Sequence, residues 1–181
     1  WKSTFSNYWD TPKRTPKKPF LLVSSNMGAA NGYLEIHKSY ELARNSGYYD
    51  RDPSLFRESF VRKAEATLKT CAFIEAIKYL ANNNNGYDIV FRPHPIENIE
   101  AWKIYLDGIP NVHVIREGSI SPWVKNAFAV MHNGCTTALE ATVSGKPLVT
   151  YIPFETSFDN HPPNNLGHRV KSPEELSNIL K

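Results

Sequence analysis

The sequence predicts an α/β fold: a Rossmann-like, mostly parallel sheet with helices on both faces. Three observations lead there. Short apolar runs alternate with helix-patterned segments along the chain, and the runs are mostly continuous rather than alternating, as in strands buried on both faces. The residues after each run are turn formers and polar side chains, the composition of loops at strand ends.

The first strand is Phe20 to Ser24 (FLLVS), an apolar run after prolines that ends in SNMGAANG. Residues 33–45 suit a short helix, broken at NSGYYDRDP. From Leu55 to Leu80 the apolar spacing fits a long amphipathic helix, with Pro53 before it and NNNNG after it. YDIVFRPHP is a second strand running into a proline-bounded turn, followed by a helix over Glu97 to Leu106 and a third strand, NVHVI. A short helix over 121–127 precedes the fourth strand, FAVMH, and Thr136 to Ser144 is helical up to Gly145. PLVTYI makes a fifth strand. In SPEELSNIL, Ser172 is the N-cap of a capping box completed by Glu175.

At 181 residues and 41% hydrophobic the chain suits one domain with a real core. We divide it into an extended arm or linker over 1–19 and the sheet domain over 20–181. The formal charge is only +3, and the one basic cluster, PKRTPKKP (12–19), is interleaved with prolines. It reads as a solvated linker, with contact to phosphate or an anionic membrane surface as the alternative; no nucleic-acid partner is expected. Cys71 lies in the apolar pattern of the long helix and reads as core, whereas Cys135 lies in a polar turn. Neither has a CxxC partner, which argues against zinc and for a reducing compartment. No run reaches the length of a membrane span. The chain begins at Trp1 and reads as a piece of a longer protein.

In such a sheet, ligands sit beyond the carboxyl ends of the strands near the switch in strand order. The unusual side chains collect there: Ser25, Asn26 and Asn31; Arg92, His94 and Glu97; Arg116 and Glu117; His132, Asn133, Gly134, Thr136 and Thr137; and Asp159 to Asn165. A helix starting near Thr136 offers unpaired N–H groups and the positive end of its dipole, and Gly134 would let an anion approach the backbone. Asn133 or Thr136 as a plain helix cap accounts for the same residue types. Glu140, one turn on, is a candidate for a ribose hydroxyl or a first-turn surface residue. In RPHP, two prolines stiffen the backbone around His94, holding its imidazole where it can donate to a phosphate or a base. Arg92 would pair with phosphate or brace the turn. Glu117 reads as pinning a loop, and His132 as a satisfied near-core group. Glu97, Glu117 and Asp159 are scattered singles with no Asp-x-Asp, so neither a metal site nor a cofactor is expected.

Several stretches together resemble the C-terminal nucleotide-binding half of GT-B glycosyltransferases, and more narrowly bacterial capsule and lipopolysaccharide biosynthesis proteins. They are FRPHPIEN, NVHVIREGSISPW, HNGCTTALEATVSGKPLVTY and FDNHPPN, with a weaker echo in LLVSSNMGAANG. His94-Pro95 and Thr136-Thr137 stand where CMP-Kdo and CMP-sialic-acid transferases carry a His-Pro and a Ser/Thr-rich motif; Cys-Thr-Thr here departs from the serine-rich form. The resemblance implies one half of a GT-B architecture and a donor that is a CMP-activated acidic sugar such as Kdo. It implies a glycan or glycolipid acceptor brought by a second domain, and a cytoplasmic enzyme at the inner face of the bacterial inner membrane, peripherally associated with it. His94 would serve catalysis by stabilising charge on the departing nucleotide phosphate. Arg92, Asn133, Gly134, Cys135, Thr136 and Thr137 would hold that phosphate. Glu140, Ser25 and Asn26 would serve the ribose or base, and Glu117, Asp159 and Asn160 the rim. Teichoic-acid-type CDP-polyol transferases and nucleotide-sugar epimerases share comparable motifs, and a non-catalytic scaffold of the same fold is the reading from another class.

Overall fold

The computed structural model describes residues 15–84, 86–156 and 159–181. Of the arm, residues 1–14 lie outside the described residues, as does Phe158 of the FDNHPPN stretch. The strands are β1 Phe20–Ser24, β2 Asp88–Arg92, β3 Val112–Val114, β4 Ala129–His132, β5 Leu148–Tyr151 and β6 His168–Val170. The helices are α1 Ile36–Asn45, α2 Ser54–Asn83, α3 Ile99–Tyr105, α4 Ser121–Asn126, α5 Thr137–Val143 and α6 Pro173–Ile179. Single 3-10 turns cover Tyr48–Asp50 and Pro162–Asn165. The strands form one parallel sheet in the order β3-β2-β1-β4-β5-β6. That is the Rossmann order, with its switch point between β1 and β4.

Period-two alternation sends side chains from each strand to two cores. Leu21, Val23, Ile89, Phe91 and Met131 join Phe73 and Ile77 of α2, Trp102 of α3 and Leu176 of α6 on one face. Phe20, Leu22, Val90 and Val130 join Trp123 of α4 and Ala138 and Ala141 of α5 on the other. Two alanines let the short α5 approach the sheet closely.

The expected elements form, with two corrections. β6 was not expected: its three residues are two exposed polar side chains and one buried valine, too little apolar sequence to register as a run. Cys71 is exposed rather than core, because the buried stripe of α2 runs through Lys69, Thr70, Phe73, Ala76, Ile77 and Leu80. The amino-terminal half of that helix does not cover the sheet at all. Thirty residues rise about 45 Å, whereas a five-residue strand spans about 17 Å. Residues before Lys69 therefore stand beyond the carboxyl ends of the strands. There Phe56 and Phe60 gather with Tyr40 of α1 and Tyr49 in a small aromatic cluster, Tyr40 stacking on Phe60 at 4.2 Å. Ser172 caps α6 as expected, its Oγ accepting from Glu175 N–H at 3.2 Å, but the Glu175 carboxylate reaches one residue further back than in a capping box and accepts from Lys171 N–H.

Candidate functional site

The register fixes the geometry of the rim. Ser24 at the end of β1 pairs with Arg92 on one side and His132 on the other. The loops bearing His94 and Gly134 thus leave the sheet at one level, two strand spacings or about 10 Å apart. Cross-links draw them together. Asn26 N–H donates to Asn133 Oδ1 at 3.0 Å, Asn26 Nδ2 to the Gly134 carbonyl at 3.4 Å, and Ser24 Oγ to Thr137 Oγ1 at 3.3 Å.

On the β2 side the hub is Glu97, fully buried. Its carboxylate accepts from Ser25 Oγ (2.9 Å), Met27 N–H (2.8 Å), Trp102 Nε1 (2.6 Å) and His94 N–H (3.3 Å). Burial pushes its pKa up against these four donors, which pull it down. Arg116 adds a clamp, donating to the carbonyls of Pro95 (3.2 Å) and Glu97 (3.0 Å) and to the Tyr33 hydroxyl (2.6 Å). The His94 turn is thereby held from both sides. Within it, Ile96 N–H donates to His94 Nδ1 at 3.3 Å. A neutral imidazole with Nδ1 as acceptor carries its proton on Nε2, so His94 has an N–H to offer a ligand.

On the β4 side the hub is His132, also fully buried. Its Nδ1 accepts from Gly134 N–H at 3.1 Å, and its Nε2 lies 2.9 Å from Thr150 Oγ1. That hydroxyl donates to the Leu166 carbonyl, which leaves it to accept from the imidazole. Burial lowers the His132 pKa to about 4, so the ring is neutral at pH 7. Gly134 has φ 92°, and a Cβ there would meet the side chain of Asn164 at 3.4 Å. The positive φ calls for glycine, whereas the Asn164 contact would be an ordinary one.

Several side chains expected to touch a ligand are committed elsewhere. Arg92 braces a turn: its two Nη atoms donate to the carbonyls of Glu117 (2.7 Å) and Gly118 (3.0 Å), and its guanidinium lies over Trp123. It is buried, and desolvation followed by the neighbouring Arg116 charge lowers its pKa to about 10, which keeps it charged at pH 7. Ser25 is buried on Glu97, and Gly134 gives its N–H to His132. Thr137 and Cys135 face inward, their Oγ1 and Sγ 3.2 Å apart. Thr136 is exposed at the head of α5 and does not cap it. Glu140 accepts from Ser121 at the start of α4, and the Glu117 carbonyl is shared by Arg92 and Trp123 Nε1. Asp159 pairs with Lys69 and accepts from Thr156, whereas Asn160 is exposed. Among the described residues no three His, Cys, Asp or Glu side chains could hold a metal ion together, and no helix is long and apolar enough to cross a membrane.

A cleft of about 230 Å³ opens at the switch point. Its floor is Asn26 to Ala29 with Ile96 and Asn133, and the loop after β5 adds Thr156, Asp159 and His161. Its far wall is α2, through Arg62, Glu65, Ala66 and Lys69. That wall was not anticipated. In the sequence these residues form the polar side of an amphipathic helix, and the only available signal was the Glu65–Lys69 spacing of four, which puts both on one side.

No protein-family model and no curated protein matches the sequence. Solved structures do match. The calicheamicin glycosyltransferase CalG4 aligns over 95% of this chain and 34% of its own, at 17% identity and a TM-score of 0.51. The wall teichoic acid polymerase TagF, in a structure with CDPG, aligns over 99% of this chain and 34% of its own, at 11% identity and a TM-score of 0.50. The UDP-GlcNAc 2-epimerase of Methanocaldococcus jannaschii, in complex with UDP-GlcNAc and UDP, aligns over 99% and 40%, at 13% identity and a TM-score of 0.50. The fold is the Rossmann-like half of a GT-B architecture. The chain spans 34% to 40% of the length of these three structures.

Proposed function

We propose that this GT-B half is the donor-binding domain of a nucleotide-sugar glycosyltransferase. The observation that carries the reading is the His94 turn. It is clamped by Glu97 and Arg116 and follows β2, the neighbour of β1 at the switch point, and its Nε2–H would meet a nucleotide at the rim where Rossmann-like sheets take one. An N–H held rigidly at that point would stabilise charge growing on a departing nucleotide phosphate without reorganising. Thr136 at the head of α5 would supply the second contact. The acceptor and the second domain, the cytoplasmic setting and a membrane-peripheral parent belong to the same proposal. So does transfer without a metal.

The finer reading, a CMP-activated acidic sugar such as Kdo used in bacterial surface polysaccharide synthesis, rests on the sequence resemblance. Transfer of a polyol phosphate is the second reading; the likeness to TagF, whose structure was solved with CDPG, favours it. The test is calorimetric titration of CMP, UMP, ADP and GMP into the chain. A cytidine or uridine nucleotide should bind, and His94→Ala should weaken it about tenfold, the weight of one charge-assisted hydrogen bond. The unfolding midpoint should stay put, since His94 is only partly buried. Indifference to all four nucleotides overturns the reading.

A further inference from the structure

The α2 wall of the cleft contains a group that the phosphate-binding reading does not use. Oε2 of Glu65 is buried and accepts no hydrogen bond. Buried polar atoms almost always have a partner, so an orphan acceptor in the lining of a cleft calls for a donor from outside the chain. The surroundings define that donor. Arg62 and Lys69 line the cleft along with Glu65 and Asp159, two positive and two negative side chains. Lys69, only 8% exposed, donates to Thr156 Oγ1 at 3.0 Å and pairs with Asp159, which uses two of the three N–H bonds of its ammonium.

An anion in this cleft would meet two carboxylates, and a cation would meet two basic side chains. A hydroxyl group suits both, since it donates to one neighbour while accepting from another. Size agrees: about 230 Å³ is below the 300–1,000 Å³ of pockets that enclose a whole drug-sized ligand, so the cleft takes one end of a nucleotide-activated substrate. We propose that Glu65 is a substrate-binding residue whose carboxylate accepts from hydroxyls of the sugar or polyol carried by the donor. Lys69 completes the contact from one helical turn away. This inference rests on the donor-binding reading above.

The experiment compares loaded and bare nucleotides on the 181-residue chain, with Glu65→Ala and the isosteric Glu65→Gln as variants. Dissociation constants are measured for UDP-GlcNAc against UDP, CMP-sialic acid against CMP, and CDP-glycerol against CDP. In the unsubstituted chain at least one loaded nucleotide should bind more tightly than its bare partner. Glu65→Ala should weaken that one about tenfold while leaving the bare nucleotide within twofold, and Glu65→Gln should fall between. The first two pairs against the third separate a sugar from an open-chain polyol. Bare nucleotides that bind without any gain from the appended group, or a gain that survives Glu65→Ala, overturn the role of Glu65 and leave the donor-binding reading standing. Binding of neither bare nor loaded nucleotides overturns both.

Discussion

Two buried ionisable groups flank the switch point, and they fasten the rim in different ways. Glu97 gathers donors from segments far apart in the chain: Ser25 and Met27 lie about seventy residues before it, and His94 and Trp102 close by. Every partner is a donor, so both carboxylate oxygens serve as acceptors. His132 works locally, accepting from Gly134 two residues on and donating to Thr150 on the adjacent strand. It has one accepting and one donating edge, which a neutral amide could imitate. The carboxylate knot joins loops that only the tertiary fold brings together; the imidazole knot shapes one turn and locks β4 to β5.

Breaking the carboxylate knot should therefore cost most. Glu97→Ala strands four donors, three of them backbone or indole N–H groups that cannot turn to other partners. We expect a loss of about 3–4 kcal/mol, read from the denaturant midpoint at unchanged slope. Glu97→Gln keeps the shape but turns an amide NH₂ toward donors and should cost roughly half as much.

The second effect is sharpened by pH, because burial moves the two pKa values in opposite directions. The His132 pKa is lowered from 6.5 to about 4 in the fold. On acidification the unfolded chain takes up this proton first, so the stability is complete above about pH 6.5 and is lost as the pH falls toward 4. The loss comes to about 3 kcal/mol. Glu97 has the reverse sign: its raised folded pKa makes protonation favour the fold, so its contribution grows as the pH falls. Unfolding curves of the unsubstituted chain and His132→Asn across pH 7 to 4 separate the two. The difference between them should shrink as the pH drops, and a constant difference would exclude His132 as the titrating group. The smallest effect is at the Arg92 brace. Arg92→Lys gives up the two-pronged grip on the Glu117 and Gly118 carbonyls and the stacking on Trp123, and should cost about 1–2 kcal/mol with the same readout.

The same contrast explains what the sequence revealed. Alternation of apolar runs with helical periodicity made the layered sheet legible, as did proline and glycine punctuation at its loops. The RPHP turn was legible as rigid because proline acts on its immediate neighbours. Glu97 as a hub was not, since its function is defined by partners that periodicity cannot place. Gly134, Thr137 and Arg92 have the residue types of an anion seat, yet the fold uses all three to build the loops beneath it. The long helix misled in another way: its apolar pattern from Leu55 to Leu80 is continuous, but two separate clusters read it, the sheet core from Lys69 onward and the Tyr40–Phe60 aromatics before it.

α2 is thus a cantilever. The sheet grips it from Lys69 to its carboxyl end, and the rest projects unsupported by any strand. A slight rocking at the grip grows with distance: Glu65 lies only about 6 Å out along the axis, Phe56 about 20 Å. Such a beam can swing its tip widely while scarcely shifting the side chains beside its fulcrum. A change in its tilt would widen or narrow the mouth above the cleft around a floor whose spacing hardly alters.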